Sequence, residues 1–285
     1  MSNINPNIRW KKSVVSKVVG NTLYQSIPFT WLLPKAEELA KKHDGPVVAG
    51  GPAVNLMGAP WAKTPKRVPK ELGSVLQLHN TLATFTTRGC PNRCRFCAVP
   101  KIEGRFVELR NYVPAPIVCD NNLGAATRGH FKRVIDSLRD FQWTDFNQGL
   151  DASLFTDWHA DQIARLRRPM VRFAFDSLSE ESDVADALAI ARKAGLKHFG
   201  VYVLIGFRDT PETAKYRLEK VREWGIRPNP MRFQPLDTLK KNSYVAAGWT
   251  DRLLRDMVRY YSCLRWLGNI PFEQYDRSIT NRKTK

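Results

Sequence analysis

The sequence predicts an α/β protein built on a partial (β/α)6 barrel, and three observations predict it. From about residue 115, short β-rich runs open at Ala115, Thr144, Val171, Phe199 and Met231, about 27 to 32 residues apart. Between them the apolar residues switch to helical spacing. Thr, Pro and Gly stand where such helices start and stop. Strands alternating with helices at this interval make βαβ units and a parallel sheet. Right-handed crossovers of uniform length curl such a sheet toward a barrel, and six units leave it open on one side.

In chain order, the first strand is expected at 82–87, ahead of a cysteine-rich loop. The helix that should follow, within 101–112, is poorly marked. The second strand is 115–119, and Phe131, Val134, Ile135 and Leu138 give its helix one apolar face at i, i+3, i+4, i+7. The third strand is 144–148 and the fourth 171–175, followed by a helix over 179–194 stopped by Gly195. After the fifth strand, 199–205, Thr210-Pro211 reads as an N-cap with proline in the first helical position. Ala214, Leu218, Val221 and Trp224 form the apolar face of that helix. The sixth strand is 231–234. A last helix is expected over 250–267, with Leu253, Leu254, Met257, Val258, Tyr261 and Leu264 inward and a stop at Gly268. Its other face presents Arg252, Arg255 and Arg259.

The domain reading is an N-terminal appendage (1–78), the barrel (79–240) and a C-terminal helical extension (241–285). The first 75 residues differ from the rest: proline recurs, basic residues outnumber acidic 11 to 4, and only 47–49 looks like a buried strand. Met1 to Lys12 lacks the apolar stretch of a secretory signal, and no eighteen apolar residues run together. The expected address is the cytoplasm, with no membrane partner.

Charge is the first unusual feature. Lys and Arg number 45 against 27 Asp and Glu, a formal net charge of +18. Such an excess favours polyanionic partners, because phosphate neutralisation releases counterions. It speaks to association and not to chemistry.

Five cysteines are present, three within eight residues. An odd total with a tight cluster argues for metal chemistry over a disulfide scaffold. The stretch Thr87-Arg88-Gly89-Cys90-Pro91-Asn92-Arg93-Cys94-Arg95-Phe96-Cys97 is C-x3-C-x2-C, directly after an expected strand. Three thiolates on one short loop can each take one iron of a cubane and leave the fourth iron open. A bacterial ferredoxin run would carry a fourth cysteine at position 101, where this chain has Lys. A zinc site would need a fourth ligand from Cys119, which lies in a buried-looking strand, or from a histidine, and no histidine falls between Cys97 and His130. Cys119 and Cys263 read as small core hydrophobes.

These residues resemble the radical S-adenosylmethionine (SAM) superfamily, over about residues 82–235. Phe96, the aromatic residue before the last cysteine, fits its signature. Arg88-Gly89-Cys90 through Ala98-Val99-Pro100-Lys101, with Gly104-Arg105 beyond, is most similar to the branch that includes tRNA methylthiotransferases. The resemblance implies a [4Fe-4S] cluster on Cys90, Cys94 and Cys97. SAM would chelate the open iron, and a one-electron donor of the flavodoxin or ferredoxin type would drive reductive cleavage to a 5′-deoxyadenosyl radical. It also implies cofactor contacts at the strand ends: Asn121 and Asn122 on the methionine amino group, and Gln148, Asp151 and Asp176 on ribose and carboxylate. Gly206, after Leu204-Ile205, would line the adenine. Each polar strand end can equally be a helix N-cap, and the second strand end departs from the common Gly-Gly-Glu form. Gly50-Gly51 is similar to the glycine pair of cobalamin-binding domains, but the D-x-H-x-x-G element that would ligate cobalt is absent. A tight turn after a strand is the simpler reading, with the segment at most a remnant of such a domain.

The leading expectation is a radical enzyme that modifies a nucleic acid or nucleotide. The net charge, the arginine stripe (Arg252, Arg255, Arg259) and the aromatics Tyr260, Tyr261 and Trp266 suggest phosphate and base contacts. The same aromatics can be core. Only one cluster motif is present, which argues against a methylthiotransferase. The alternatives are radical modification of a peptide or small metabolite, and a non-catalytic iron-sulfur or electron-transfer protein.

Overall fold

The computed structural model describes residues 10–65, 69–263 and 270–275. The described residues fall into two compact units: those up to Gln148 with Arg165–Arg168 and Gln234–Ser243, and those of Gly149–Ala164 with Pro169–Phe233 and from Tyr244 onward.

The first unit opens with a hairpin, β1 (Val15–Val19) and β2 (Thr22–Ser26), closed by Gly20 in the left-handed region. Helix α1 (Leu33–Ala40) leads to β3 (Val47–Gly50), which runs parallel to β2 in a three-stranded sheet. Two of these strands were not expected. β1 has only exposed or half-buried residues, so it lacks the apolar alternation that marks a strand. Gly51 turns the chain from β3 into α2 (Pro52–Met57); its φ is 103°, and a Cβ there would lie 2.7 Å from the Ile27 carbonyl oxygen. The glycine pair therefore makes a tight turn. Ile27, Leu33, Ala36, Ala49, Ala53 and Val54 form the core beneath it.

Helix α3 (Val75–His79) precedes β4 (Ala83–Thr84) and β5 (Thr87–Arg88). The first expected strand is thus two short ones. β4 pairs in parallel with β7 (Ile117–Val118), whereas β5 forms an antiparallel pair with β6 (Val107–Glu108). One-turn helix α4 (Val99–Ile102) lies between β5 and β6. Helix α5 (Arg128–Leu138) buries Phe131, Val134, Ile135 and Leu138, the face read from the sequence, and β8 (Thr144–Phe146) pairs in parallel with β7.

The second unit contains α6 (Asp157–Ala164), β9 (Pro169–Ala174), α7 (Glu181–Lys193), β10 (His198–Ile205), α8 (Pro211–Glu223), β11 (Pro228–Arg232) and α9 (Asp251–Ser262). Gly195, φ 82°, ends α7 as expected. Thr210 caps α8 by accepting from the amide of Thr213, with Pro211 in its first turn. β11 begins three residues earlier than the expected sixth strand. Pro228 and Pro230 read as loop in a sequence, yet β11 ends the strand order, where a missing N–H is tolerated. α9 stops at Ser262, short of residue 267, and its last turn is tied off by the Cys263 amide. Leu264 and Gly268 lie outside the described residues.

In the first unit β4 pairs in parallel with β7 and β7 with β8; in the second β9 pairs in parallel with β10 and β10 with β11. The protein is therefore a mixed α/β chain. Among the described residues, no helix is long and apolar enough to cross a membrane.

Candidate metal centre on the 89–106 loop

The loop that carries the three cysteines is held at its base by Asp120, which follows β7. One carboxylate oxygen of this buried side chain accepts from the amides of Thr86 (2.6 Å) and Thr87 (2.9 Å), and the other accepts from the Thr86 hydroxyl. These bonds fix the break between β4 and β5. Burial pushes the Asp120 carboxyl up to about 6, against hydrogen bonds that favour its charged form.

β5 and β6 then close the loop, with Thr87 opposite Glu108 and Arg88 opposite Val107. Gly89 adopts φ 74°, and a Cβ there would lie 2.4 Å from the Arg105 carbonyl oxygen. Only glycine lets the two sides approach this closely. Glu103, just after α4, gathers the base of the loop. Its Oε2 accepts from the Gly89 amide (2.7 Å) and from Asn121 Nδ2 (2.8 Å), and its Oε1 pairs with Arg88 at 2.9 Å.

Cys94 is exposed, and Cys90 and Cys97 are half-buried; all five cysteines stand as thiols. Two sulfurs already accept N–H donors: Asn122 Nδ2 points at Cys90 Sγ (3.7 Å) and the Val99 amide at Cys97 Sγ (3.4 Å). The Cys97 amide donates to the Cys94 carbonyl at 3.0 Å, which makes the turn between the second and third thiols. Cys90 and Cys94 line a concavity of about 550 Å³ whose charged walls are Arg93 and Arg105, with no carboxylate among the lining residues. Among the described residues, no group of three or more His, Cys, Asp or Glu converges as ligands of one metal ion would. Three thiolates that each bind a different iron of a cubane stand farther apart than ligands of a single ion. Sulfurs that accept N–H donors, space beside two of them and cationic walls fit an anionic thiolate cluster. Phe96 is half-buried on the same loop.

The other two cysteines do not belong here. Cys119 is buried, and desolvation first, then the charges of Asp120 and Asp145, push its thiol up to about 12. Cys263 caps α9.

The remaining expected cofactor residues fall in different settings. Gln148, in the first unit, is exposed and donates to Asn147 Oδ1 at 3.2 Å. In the second unit, Asp151 Oδ1 accepts from the amide (3.2 Å) and hydroxyl (2.8 Å) of Ser153, so it caps a short turn. Asp176 accepts from the Leu204 amide at 3.0 Å; burial raises it to about 6. Gly206, φ 79°, leaves room for Leu254 of α9, whose Cδ2 would lie 2.8 Å from an added Cβ. Helix packing thus suffices to explain that glycine.

A hub in the second unit escaped the sequence. Arg217 of α8 is 1% exposed and donates to Asp209 (2.6 Å) and to the carbonyls of Phe175 and Leu204 (2.9 Å each). Desolvation raises the neighbouring Glu180 and Asp209 carboxyls above their usual range.

On α9 two arginines of the stripe are ion-paired. Arg252 meets Asp256 at 3.6 Å and Arg255 meets Asp251 at 2.8 Å; Asp251 also binds Arg232 at 2.7 Å, and Arg259 is engaged as well. Tyr260 and Tyr261 are 1% and 0% exposed, with hydroxyls bound to the Ile270 carbonyl and to Glu219. They are core residues and cannot stack on bases. Trp266 lies outside the described residues.

No family model matches the chain, and no curated protein matches it.

Proposed function

We propose that this chain is a radical SAM enzyme with one [4Fe-4S] cluster on Cys90, Cys94 and Cys97. The observation that carries the reading is the C-x3-C-x2-C loop whose Cys90 and Cys97 sulfurs already accept N–H donors. When bound, the cluster would supply the electron that cleaves SAM to a 5′-deoxyadenosyl radical able to take hydrogen from a substrate.

The chain's own residues supply the rest. Asn122 and the Val99 amide donate to the Cys90 and Cys97 sulfurs and would stabilise them as thiolates holding the cluster. Arg93 and Arg105 offset the thiolate charge. Glu103, bonded to Arg88, Gly89 and Asn121, keeps the loop in one geometry. Asn121 donates from its side-chain amide to Glu103, which would leave its carbonyl oxygen as an acceptor for the SAM ammonium.

The same reading takes the parallel strands of the two units as parts of an open (β/α)6 barrel and the cytoplasm as the working compartment. A flavodoxin- or ferredoxin-type donor would deliver the electron, and the net charge of +18 favours a nucleic acid or nucleotide as substrate. The test is anaerobic reconstitution with iron and sulfide. The parent, Cys119→Ser and Cys263→Ser should each hold about four irons, and Cys90→Ala, Cys94→Ala or Cys97→Ala should lose them. Full iron content in any of the last three would refute the assignment.

A further inference from the structure

A cavity of about 680 Å³ in the first unit is not part of the thiol concavity, although Arg88 and Glu103 line it. Its volume falls in the ordinary range for small-molecule sites, roughly 300–1,000 Å³. Four aromatic side chains contribute to its wall: Trp10, Phe29, Phe85 and Tyr112. Two are held in place by their neighbours. Phe29 stacks on Trp31 with ring centroids 4.5 Å apart and planes within 6°, and the Arg88 guanidinium sits 3.9 Å above the centre of the Phe85 ring.

The polar part of the wall is built, not incidental. His79 is buried, and its Nδ1 lies 2.7 Å from the Lys11 carbonyl oxygen. A carbonyl only accepts, so Nδ1 carries the proton. Nε2 meets Ser26 Oγ at 2.9 Å. The Lys11 amide returns a bond to the His79 carbonyl at 2.9 Å. This reciprocal pair fixes Trp10, Lys11 and Lys12 at the rim. Both lysines are exposed, and neither has a carboxylate within ion-pair distance among the described residues. Arg88, Lys11 and Lys12 are thus set against Glu103 alone, and Glu103 is already committed to Arg88.

Flat aromatic walls with uncompensated cations at one rim suit a planar ring bearing an anionic group. We infer that this cavity binds a nucleotide, its base among Trp10, Phe29, Phe85 and Tyr112 and its phosphate on Lys11 and Lys12. The inference deepens the proposed function and rests on it for the choice of nucleotides among planar anions. Base and phosphate can come from a free nucleotide or from the end of a strand, and the cavity recognises the chemistry they share.

The test is calorimetric titration of the full chain at low salt, with no SAM added. Probes are the four nucleoside 5′-monophosphates, the matching nucleosides, inorganic phosphate and a 5′-phosphorylated tetranucleotide. At least one monophosphate or the tetranucleotide should bind, more tightly than its nucleoside and than phosphate. Binding by the monophosphate identifies a free nucleotide, and binding by the tetranucleotide alone identifies a strand end. Lys11→Gln/Lys12→Gln, on exposed residues, should weaken binding by about tenfold. Phe29→Leu should weaken it by about fivefold or more, the low end of what a lost base–aromatic stack removes. No binding by any nucleotide, phosphate binding as tightly as the nucleotides, or affinity unchanged in both variants would each overturn the inference. Iron content and nucleotide heat are separate readouts, so failure of the cluster leaves this result interpretable.

Discussion

The Glu103 carboxylate lies 2.7 Å from the Gly89 amide nitrogen and accepts a hydrogen bond from it. That bond joins the residue after α4 to the residue before the first thiol. Arg88 and Asn121 reach the same carboxylate, so the strand before the loop, the loop itself and the strand-end residue meet at one side chain. A long loop would otherwise sample many arrangements; here both of its ends are pinned.

The close approach at Gly89 yields the first prediction. Gly89→Ala places a Cβ against the Arg105 carbonyl oxygen in a left-handed backbone and should reduce reconstituted iron by half or more. Gly104 has the same φ of 74° but open space around it, so Gly104→Ala should meet only the left-handed penalty, about 1–2 kcal/mol. Iron per chain and urea midpoints of the two variants, measured side by side, check this. Equal iron loss would show that strain alone matters at these glycines.

A second prediction concerns pH. The Asp120 carboxyl titrates near 6 when folded and near 3.9 when unfolded, so between those values the native state holds more protons. Its contribution to stability therefore falls as pH rises from about 4 to 6. Asn at this position can keep the Thr86 and Thr87 amide bonds without a charge to desolvate. Relative to the parent, Asp120→Asn should gain about 2–3 kcal/mol between pH 4 and pH 7, read from denaturant unfolding at each pH. A difference that stays constant or shrinks with rising pH would contradict the account.

Arg217 supplies a third. Arg217→Met removes a cation with three buried acceptors and leaves Asp209 without its partner. The expected loss is about 3–5 kcal/mol in urea unfolding. Adding Asp209→Asn should recover part of it, because the stranded carboxylate is then neutral. A loss below about 1 kcal/mol would mean that the buried bonds are replaced by water.

The arginines of α9 supply a fourth. Since Arg252 and Arg255 are paired with Asp256 and Asp251, replacing Arg252, Arg255 and Arg259 with Gln should change the salt dependence of RNA binding little. The log–log slope should shift by less than about 0.9, the value of one phosphate contact. A shift of roughly two units in filter binding would return this helix to the binding surface.

Helices α5, α7 and α8 were legible because their signals are local. Thr210-Pro211 and Gly195 act within a few residues, and the apolar face of α5 repeats within a few turns. The strands were harder. β11 hides behind Pro228 and Pro230, and β1 buries too little to alternate. The cysteine spacing that motivates the proposed cluster is visible in the sequence by itself. Glu103 and Asp120 could not be assigned their roles, because each acts across a loop on amides 14 and 33–34 residues away. Tyr260 and Tyr261 misled for a related reason: tyrosine serves a core or a surface, and only the position of Glu219 shows which.

The central claim is tested most directly by reductive cleavage of SAM. The reconstituted chain, given dithionite and SAM without oxygen, should release 5′-deoxyadenosine and methionine in equal amounts. Cys90→Ala, Cys94→Ala and Cys97→Ala should each release none above a protein-free control. A fully loaded parent that leaves SAM intact with or without RNA would contradict the account, as would cleavage that survives loss of any of the three thiols.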